Sequence, residues 1–142
     1  MRVIEPYLLW IGNAGDVWRV ADLMDAGIRA VVDLATNEPI AALPREIVYC
    51  RFPLFDGADN ERWLLRAASD TISELLRANV PTLVACSAGM SRSPIIVAAA
   101  LSRVDGRSLE QALDDITMGV AHDVSTSLWA EIKAVCEKWT GD

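Results

Sequence analysis

A chain of 142 residues, of which 52% are hydrophobic and 23% charged, has the composition of a single globular domain, which we expect to span residues 1–142. No apolar run reaches the roughly 20 residues of a membrane span, and the N-terminal residues lack the apolar segment of a signal peptide, so a cytoplasmic location is expected. The net charge of −7 argues against nucleic acid or an anionic membrane as a partner, because both require a basic surface.

Cysteine and histidine usage also limits the chemistry. The three cysteines, Cys50, Cys86 and Cys136, are widely spaced, which predicts free thiols rather than a disulfide framework. His122 is the one histidine of the chain, and no Cys/His spacing resembles a zinc site. We therefore expect no metal and no other cofactor.

Hydrophobic periodicity and turn residues predict strands that alternate with helices. The predicted strands lie at 7–11, 28–34, 47–52 and 82–85. The predicted helices run from a cap at Asp16 to Gly27, from about Asn60 to Asn79, from the turn containing Pro94 to about Arg103, from a cap at Ser108 to about Met118, and from a cap at Ser125 to near Trp139. The five tryptophans fall in these elements and are expected to pack in the core.

This alternation predicts an α/β fold with a central, mainly parallel sheet of four to five strands and helices on both faces. In such sheets ligands bind beyond the carboxyl ends of the strands. The segment after the predicted strand at 82–85 begins with Cys86 and leads directly into a helix. It is therefore the candidate site.

The chain from Cys86 to Ser93 reads Cys-Ser-Ala-Gly-Met-Ser-Arg-Ser. Small residues between a strand and a helix let the backbone curl until successive N–H groups point inward, which makes an anion-binding nest. Gly89 supplies the freedom for this curl, and the fork of Arg92 can hold two phosphate oxygens. The same positive field favours a thiolate at Cys86, and Ser93 can donate a hydrogen bond to that sulfur.

The nest also defines the expected phosphate-binding residues. They are Ser87, Ala88, Gly89, Met90, Ser91 and Arg92. The alternative makes Cys86 a packing residue and Arg92 a solvated helix residue. The preceding strand, the central glycine and the following helix favour the nest, because a motif is supported by its structural context.

Displacement of an oxygen from phosphorus by a thiolate requires an acid that protonates the leaving oxygen. The loop at 53–60 offers two carboxylates, Asp56 and Asp59. Asp59 has a ready structural role as the N-cap of the next helix, whereas Asp56 has no such local role. We therefore favour Asp56 as the acid, with solvated loop carboxylates as the alternative for both.

These residues resemble the dual-specificity phosphatases, a family within the Cys-x5-Arg protein tyrosine phosphatases. The segment from Cys86 to Ser93 is very close to the family signature Cys-x-Ala-Gly-x-Ser-Arg-Ser. The segment from Pro53 to Asp56 is similar to the Pro-x-x-Asp acid loop, and the segments at 7–13 and 27–34 are similar to the first strands. The resemblance implies a phosphatase-type phosphate-binding loop between the last parallel strand and a helix.

The resemblance also implies a mechanism and partners. Cys86 would form a phosphocysteine while Asp56 protonates the leaving group. Arg92 and the loop N–H groups would hold the phosphate oxygens, and Ser93 would help to expel the thiolate without a metal. The implied substrate is a phosphorylated protein, carrying phosphotyrosine and also phosphoserine or phosphothreonine, or a small phosphomonoester. Phosphate, sulfate and vanadate are the expected inhibitory oxyanions.

Ala85 departs from the family pattern, in which a histidine precedes the cysteine. That histidine supports the loop and favours the thiolate, so its absence predicts reduced or unusual activity. Two alternatives to an active protein phosphatase stay open: a pseudophosphatase-type module that binds phosphorylated ligands with weak or no turnover, and a phosphatase of a non-protein phosphate. A sulfurtransferase with a similar cysteine loop is disfavoured by the spacing to Arg92 and by Asp56.

Two further residues invite a functional interpretation. Cys50 could form a reversible disulfide with Cys86, as in some family members, but a packed strand cysteine is favoured. His122 could act as a base for Cys86, but a solvated loop histidine is favoured.

Overall fold

The computed structural model describes residues 1–139, except for the side chain of Trp139. Within these residues the chain forms five strands and six helices. In chain order they are β1 (Arg2–Val3), β2 (Leu9–Asn13), α1 (Ala14–Trp18), α2 (Val20–Asp25), β3 (Ala30–Ala35), β4 (Val48–Leu54), α3 (Arg62–Arg77), β5 (Thr82–Cys86), α4 (Arg92–Asp105), α5 (Leu109–Thr117) and α6 (Thr126–Trp139).

The strands form one sheet in the order β1-β2-β5-β3-β4. All neighbours run parallel except β1, which pairs antiparallel with β2. The predicted α/β class, with a mainly parallel sheet of four to five strands, is therefore confirmed. β5 lies between β2 and β3, and all five of its residues are buried. Its carboxyl end consequently opens at the middle of the sheet edge.

The sheet separates two apolar clusters, because successive strand residues face opposite sides. The larger cluster contains Val84 of β5 and packs against α3, α4, α5 and α6. The smaller cluster contains Leu83 and Ala85 and packs against α1 and α2. Both faces are thus covered, as a parallel sheet requires. Among the described residues, no helix has both the length and the apolar character needed to cross a bilayer.

The helix predicted between Asp16 and Gly27 is two short helices, α1 and α2. Asp16 is not its cap, contrary to the prediction. The Asn13 side chain accepts from the Asp16 backbone N–H at 3.0 Å, and the Asp16 carboxylate accepts from the Asn13 N–H at 2.9 Å. This capping box fixes the turn where β2 ends, beside the end of β5.

The start of α3 also differs from the prediction. Its N-cap is Glu61, and Asp59 lies two residues earlier with a φ of 72°. Trp63, expected in the core, is 63% exposed, and Trp18 is likewise exposed. Trp63 sits at the edge of the apolar stripe of α3, where periodicity alone does not decide between core and solvent. The predicted packing of Trp139 lies outside the described side chains.

Candidate active site

Cys86 is the last residue of β5, and its side chain is 2% exposed. It pairs in register with Asn13 at the end of β2, so both strands finish at the same level of the sheet. The loop that follows, residues 87–91, joins β5 directly to α4. The cysteine therefore lies at the carboxyl edge of the sheet, where the sequence predicts the site.

The 87–91 loop leaves its backbone N–H groups available to a ligand. Among the described residues, no carbonyl or carboxylate accepts a hydrogen bond from them. Gly89 has a φ of 75°, and a Cβ built on it would lie 2.8 Å from the Gly12 carbonyl oxygen. Only glycine satisfies both the left-handed conformation and this close approach. The loop is thus pressed against the end of β2 in a curled conformation.

Arg92, at the start of α4, is buried at 5% exposure and held by three acceptors. Its Nη1 donates to Asn37 Oδ1 and to the Leu54 carbonyl oxygen, both at 2.9 Å. Its Nη2 donates to Ser87 Oγ at 2.8 Å. Within the described residues these bonds use three of the five guanidinium N–H groups, which leaves two donors for a bound anion.

Neighbouring segments hold the loop from both sides. The Ala14 backbone N–H donates to the Ser87 carbonyl oxygen at 3.1 Å, from the start of α1. The Ser125 N–H donates to Ser91 Oγ at 2.8 Å, from the connection between α5 and α6. The Asp123 N–H on the same connection donates to the Met90 carbonyl oxygen at 3.0 Å. These bonds fix the loop before any ligand binds, and such preorganisation favours catalysis.

Cys86 opens into a concavity of about 100 Å³. Asp56, the predicted acid, lines it, so the structure brings this carboxylate to the same space as the thiol and the Arg92 guanidinium. The other lining residues are Ser87, Ala88, Met90, Ser91 and Asp123. Gly89 is the one predicted phosphate-binding residue that does not line the concavity, since its role is to let the loop curl.

The acid loop, residues 55–60, is held by two side chains. Asn60 is buried; its Oδ1 accepts from the Phe55 N–H at 2.8 Å, and its Nδ2 donates to the carbonyl oxygens of Phe55 and Gly57. Glu131 on α6 accepts from the backbone N–H groups of Asp59 at 2.8 Å and of Asn60 at 3.3 Å. The loop that carries Asp56 is therefore anchored at its base.

Ser93 is fully buried in the first turn of α4, and its hydroxyl has no hydrogen-bond partner among the described residues. The bond to the Cys86 sulfur that the sequence predicts is not formed in this structure. An unpaired buried hydroxyl costs about 1–3 kcal/mol. It is the kind of unsatisfied donor expected near a group whose charge changes during a reaction.

Ala85, where the family pattern has histidine, is fully buried in the smaller apolar cluster. It pairs in register with Gly12 on one side and with Asp33 on the other. Its methyl group offers the loop no hydrogen bond. The loop is accordingly held by Asn37, Ser125 and Ala14 instead of by a side chain from position 85.

The remaining thiols lie away from the concavity. β3 separates β4, which carries Cys50, from β5. Two strand spacings amount to about 10 Å, beyond the roughly 7 Å that a disulfide can bridge, which excludes a Cys50–Cys86 disulfide in this fold. Burial raises the pKa of Cys50 and raises that of Cys136 to about 11.

His122 is exposed, with Nδ1 2.9 Å from the Val120 carbonyl oxygen, and does not line the concavity.

A cysteine and an arginine on one strand–loop–helix turn, with an aspartate lining the same concavity, are typical of the class of cysteine-dependent phosphatases. The family model described as the catalytic domain of dual specificity phosphatases matches residues 9–132. The chain therefore belongs to the dual-specificity phosphatase family. No curated protein sequence matches it.

Solved structures share the fold over nearly the whole chain. Human DUSP28 superposes with a TM-score of 0.81 at 24% identity, and the match covers 94% of both chains. A mouse putative dual specificity phosphatase complexed with zinc tungstate gives 0.82 at 25% identity, covering 99% of this chain and 92% of the other. Human tyrosine phosphatase-like serine/threonine/tyrosine-interacting protein gives 0.76 at 15% identity, covering 93% of both.

Several residues that shape the site escape the sequence reasoning. Asn37 and Glu131 are brought to the site by the sheet order and by helix packing, and no local pattern marks them. Asp123 and Ser125 lie close to His122 in sequence, and His122 is the residue of that segment considered for a catalytic role. A polar residue just beyond a predicted parallel strand is the one signal that could have marked Asn37.

Proposed function

We propose that this protein hydrolyses phosphomonoesters of protein side chains, with Cys86 as the nucleophile, Arg92 and the 87–91 loop as the phosphate site, and Asp56 as the acid. The observation that carries the proposal is the set of unpaired donors around the thiol. The N–H groups of residues 87–91 and two N–H groups of Arg92 have no acceptor among the described residues. A bound phosphate supplies these donors with oxygens.

In the first step the Cys86 thiolate attacks phosphorus, the S–P bond forms and the bond to the ester oxygen breaks. The leaving oxygen takes the proton of Asp56, so the product departs as a neutral phenol or alcohol. The equatorial oxygens stay on the loop N–H groups and Arg92 throughout. The enzyme is left as a phosphocysteine with Asp56 ionised.

In the second step a water molecule attacks phosphorus, and Asp56 accepts its proton. The S–P bond breaks, and the electron pair returns to sulfur. A change of the Ser93 side-chain rotamer that brings Oγ to the sulfur of Cys86 would give the departing thiolate a hydrogen bond, which is the role we propose for this unpaired donor. Orthophosphate is released, and the resting charges are restored.

The shallow concavity supports a broad choice of phosphorylated residue. A volume of about 100 Å³ accommodates a phosphate group without enclosing a phenyl ring. Phosphotyrosine, phosphoserine and phosphothreonine would all reach the sulfur. Oxyanions that mimic phosphate, including sulfate and vanadate, would bind the same donors, and the zinc tungstate complex of the mouse relative supports this.

Hydrolysis of para-nitrophenyl phosphate by purified protein tests the proposal. Cys86→Ser abolishes turnover, whereas Cys50→Ser, the matched change two strands away, retains it. Asp56→Asn lowers kcat on the order of a hundredfold, as expected for loss of a general acid. Asp59→Asn is the control on the same loop, since asparagine tolerates the left-handed backbone there. Full turnover by the Cys86 variant would refute the mechanism.

A binding module with weak turnover is the second candidate. It is favoured by Ala85 and by the absence of a bond between Ser93 and the cysteine sulfur among the described residues. The two candidates differ in a single-turnover experiment with a phosphotyrosine peptide followed by acid quench. Peptide binding by calorimetry without phosphocysteine or phosphate release would select the binding module.

A further inference from the structure

A second cavity, the side cavity, lies beside the catalytic concavity. It measures about 370 Å³ and shares the walls Ala88 and Met90 with the concavity around Cys86. Arg2, from the edge strand β1, is the basic side chain that lines it. Val120 and Ala121, from the connection between α5 and α6, also line it.

The Arg2 guanidinium is a half-buried cation. Among the described residues, no acceptor or carboxylate lies within hydrogen-bond or ion-pair distance of it. Burial lowers the pKa of Arg2 from its usual value, because the charged form loses hydration. A cation that has lost hydration and has no anionic partner is stabilised more by an entering anion than a cation that is fully hydrated or already paired.

One acidic side chain, Asp16, also lines the side cavity, and its charge is already compensated. Its Oδ2 accepts from the Asn13 N–H at 2.9 Å and lies 3.2 Å from the Met1 nitrogen. Its Oδ1 is 3.9 Å from Arg19 Nη1. Asp16 therefore does not pair with Arg2, and an incoming anion meets a cavity whose unpaired charge is positive.

The strand register gives the separation of the two sites. Arg2 pairs with Ile11, which pairs with Val84, so Arg2 lies two strand spacings from β5. Together with the two residues from Val84 to Cys86, this places the Arg2 backbone about 12 Å from that of Cys86. An extended peptide advances about 3.3–3.6 Å per residue, so two or three residues, with their side chains, cover this distance.

We propose that Arg2 and the side cavity bind a second anionic group of the substrate, an acidic or phosphorylated side chain two or three residues from the phosphorylated residue of a peptide. The inference rests on the phosphatase function proposed above. It makes Arg2 a specificity-determining residue in a chain that carries a net charge of −7. Acidic phosphopeptides would otherwise be repelled by the overall field of the protein.

The test uses peptides in which a phosphotyrosine is flanked by alanines. In each peptide one alanine, at one of the three positions before or the three positions after the phosphotyrosine, is replaced by glutamate. A peptide with glutamine at the same position is the neutral control. In the wild-type protein, glutamate two or three residues from phosphotyrosine raises kcat/KM about fivefold over glutamine. Arg2→Gln removes this gain. Arg29→Gln is the control, because it makes the same change at an exposed residue just before β3, at the amino end of that strand and away from the Cys86 loop; this variant keeps the gain.

An equal glutamate gain in Arg2→Gln, or no gain at any position in the wild type, would overturn the proposal. Absence of turnover with every peptide would instead refute the phosphatase function. In that case the side-cavity proposal is tested by binding alone, through calorimetric titration of the same peptides into the Cys86→Ser variant with and without Arg2→Gln. A glutamate preference that depends on Arg2 supports the side cavity as an anion site, and its absence rejects it.

Discussion

Arg92 and Asn37, which are 55 residues apart in sequence, meet through a hydrogen bond of 2.9 Å from Nη1 to Oδ1. The Asn37 Nδ2 also donates to Ser87 Oγ at 2.9 Å, and Ser87 Oγ in turn accepts from Arg92 Nη2 at 2.8 Å. The three side chains close a small ring of hydrogen bonds. The orientation of the guanidinium therefore depends on a residue outside the signature motif.

Replacement of Asn37 tests this dependence. Asn37→Ala lowers kcat/KM for para-nitrophenyl phosphate about tenfold, because a hydrogen bond to a charged group is lost and Arg92 becomes mobile. Asn37→Asp lowers it further, since its carboxylate binds Arg92 and competes with phosphate. Steady-state kinetics and inhibition by inorganic phosphate measure both effects. Wild-type constants in both variants would contradict the positioning role.

Gly89 is expected to tolerate no side chain. In Gly89→Ala a left-handed residue costs on the order of 1–2 kcal/mol, and the contact with the Gly12 carbonyl oxygen adds to this. Gly27→Ala is a matched control, because Gly27 has a φ of 76° and, apart from its neighbours along the chain, no heavy atom lies within 4 Å of the point where the added methyl group would sit. Urea unfolding should show the larger loss of stability at Gly89. Equal losses would mean that the loop relaxes away from β2.

Glu131 should act through the acid loop, not on phosphate itself. Glu131→Ala removes the acceptors of two loop N–H groups, so the position of Asp56 loosens. We expect kcat for phenyl phosphate, which has a poor leaving group, to fall about tenfold and kcat for para-nitrophenyl phosphate to fall less. Glu131→Gln keeps one acceptor and gives an intermediate result. Glu46→Ala, at an exposed loop residue, is the control, and equal losses for both substrates would contradict the role.

Asp123 places a second carboxylate at the concavity. It opposes a phosphate dianion, so Asp123→Asn should lower KM for para-nitrophenyl phosphate by about threefold to fivefold at low salt. The backbone N–H bond to Met90 is kept in this variant. Asp114→Asn makes the same charge change on α5 and should leave KM as it is. A raised KM in Asp123→Asn would show that this carboxylate assists the reaction.

The Asp105 carboxylate should account for part of the loss of folding stability at acidic pH. Hydrogen bonds from Arg107, at 2.6–3.1 Å, lower the pKa of Asp105 to about 2, and Tyr7 also donates to its carboxylate at 2.9 Å. Because the pKa in the folded state lies below that of the unfolded chain, the stabilisation is present above about pH 4 and is lost as pH falls toward 2. Asp105→Asn should therefore reduce stability at neutral pH and flatten the decline between pH 4 and 2, as measured by urea midpoints. If the urea midpoint of Asp105→Asn fell between pH 4 and 2 as steeply as that of the wild type, Asp105 would not be a source of the acid sensitivity.

Local sequence information locates the site, whereas the long-range hydrogen bonds that hold the site in place could not be predicted from it. The signature between Cys86 and Ser93, the cap at Ser108 and the order of strands and helices depend on neighbours in sequence. The contact between Glu131 and Asp59 joins residues 72 apart and exists only once α6 packs against α3. Sequence patterns carry no signal for such contacts, because many exposed glutamates look the same.

β1 and the tryptophans show a second limit. β1 has two residues, too few for any periodicity to register. Trp63 is expected in the core because aromatic residues bury well on average, but α3 has enough aliphatic residues to fill its inner face. The exposed tryptophan follows from competition for space, which a single-sequence pattern does not describe.

The position of β5 has a consequence for how a partly synthesised chain behaves. β2 and β3 are not neighbours; each borders β5, which follows both of them and α3 in sequence. Until residue 86 has left the ribosome, the early strands have no common partner, and two backbone edges are free to pair with other molecules. A fragment that ends before β5 should therefore aggregate, and the nucleophile is delivered by the same strand that completes the sheet.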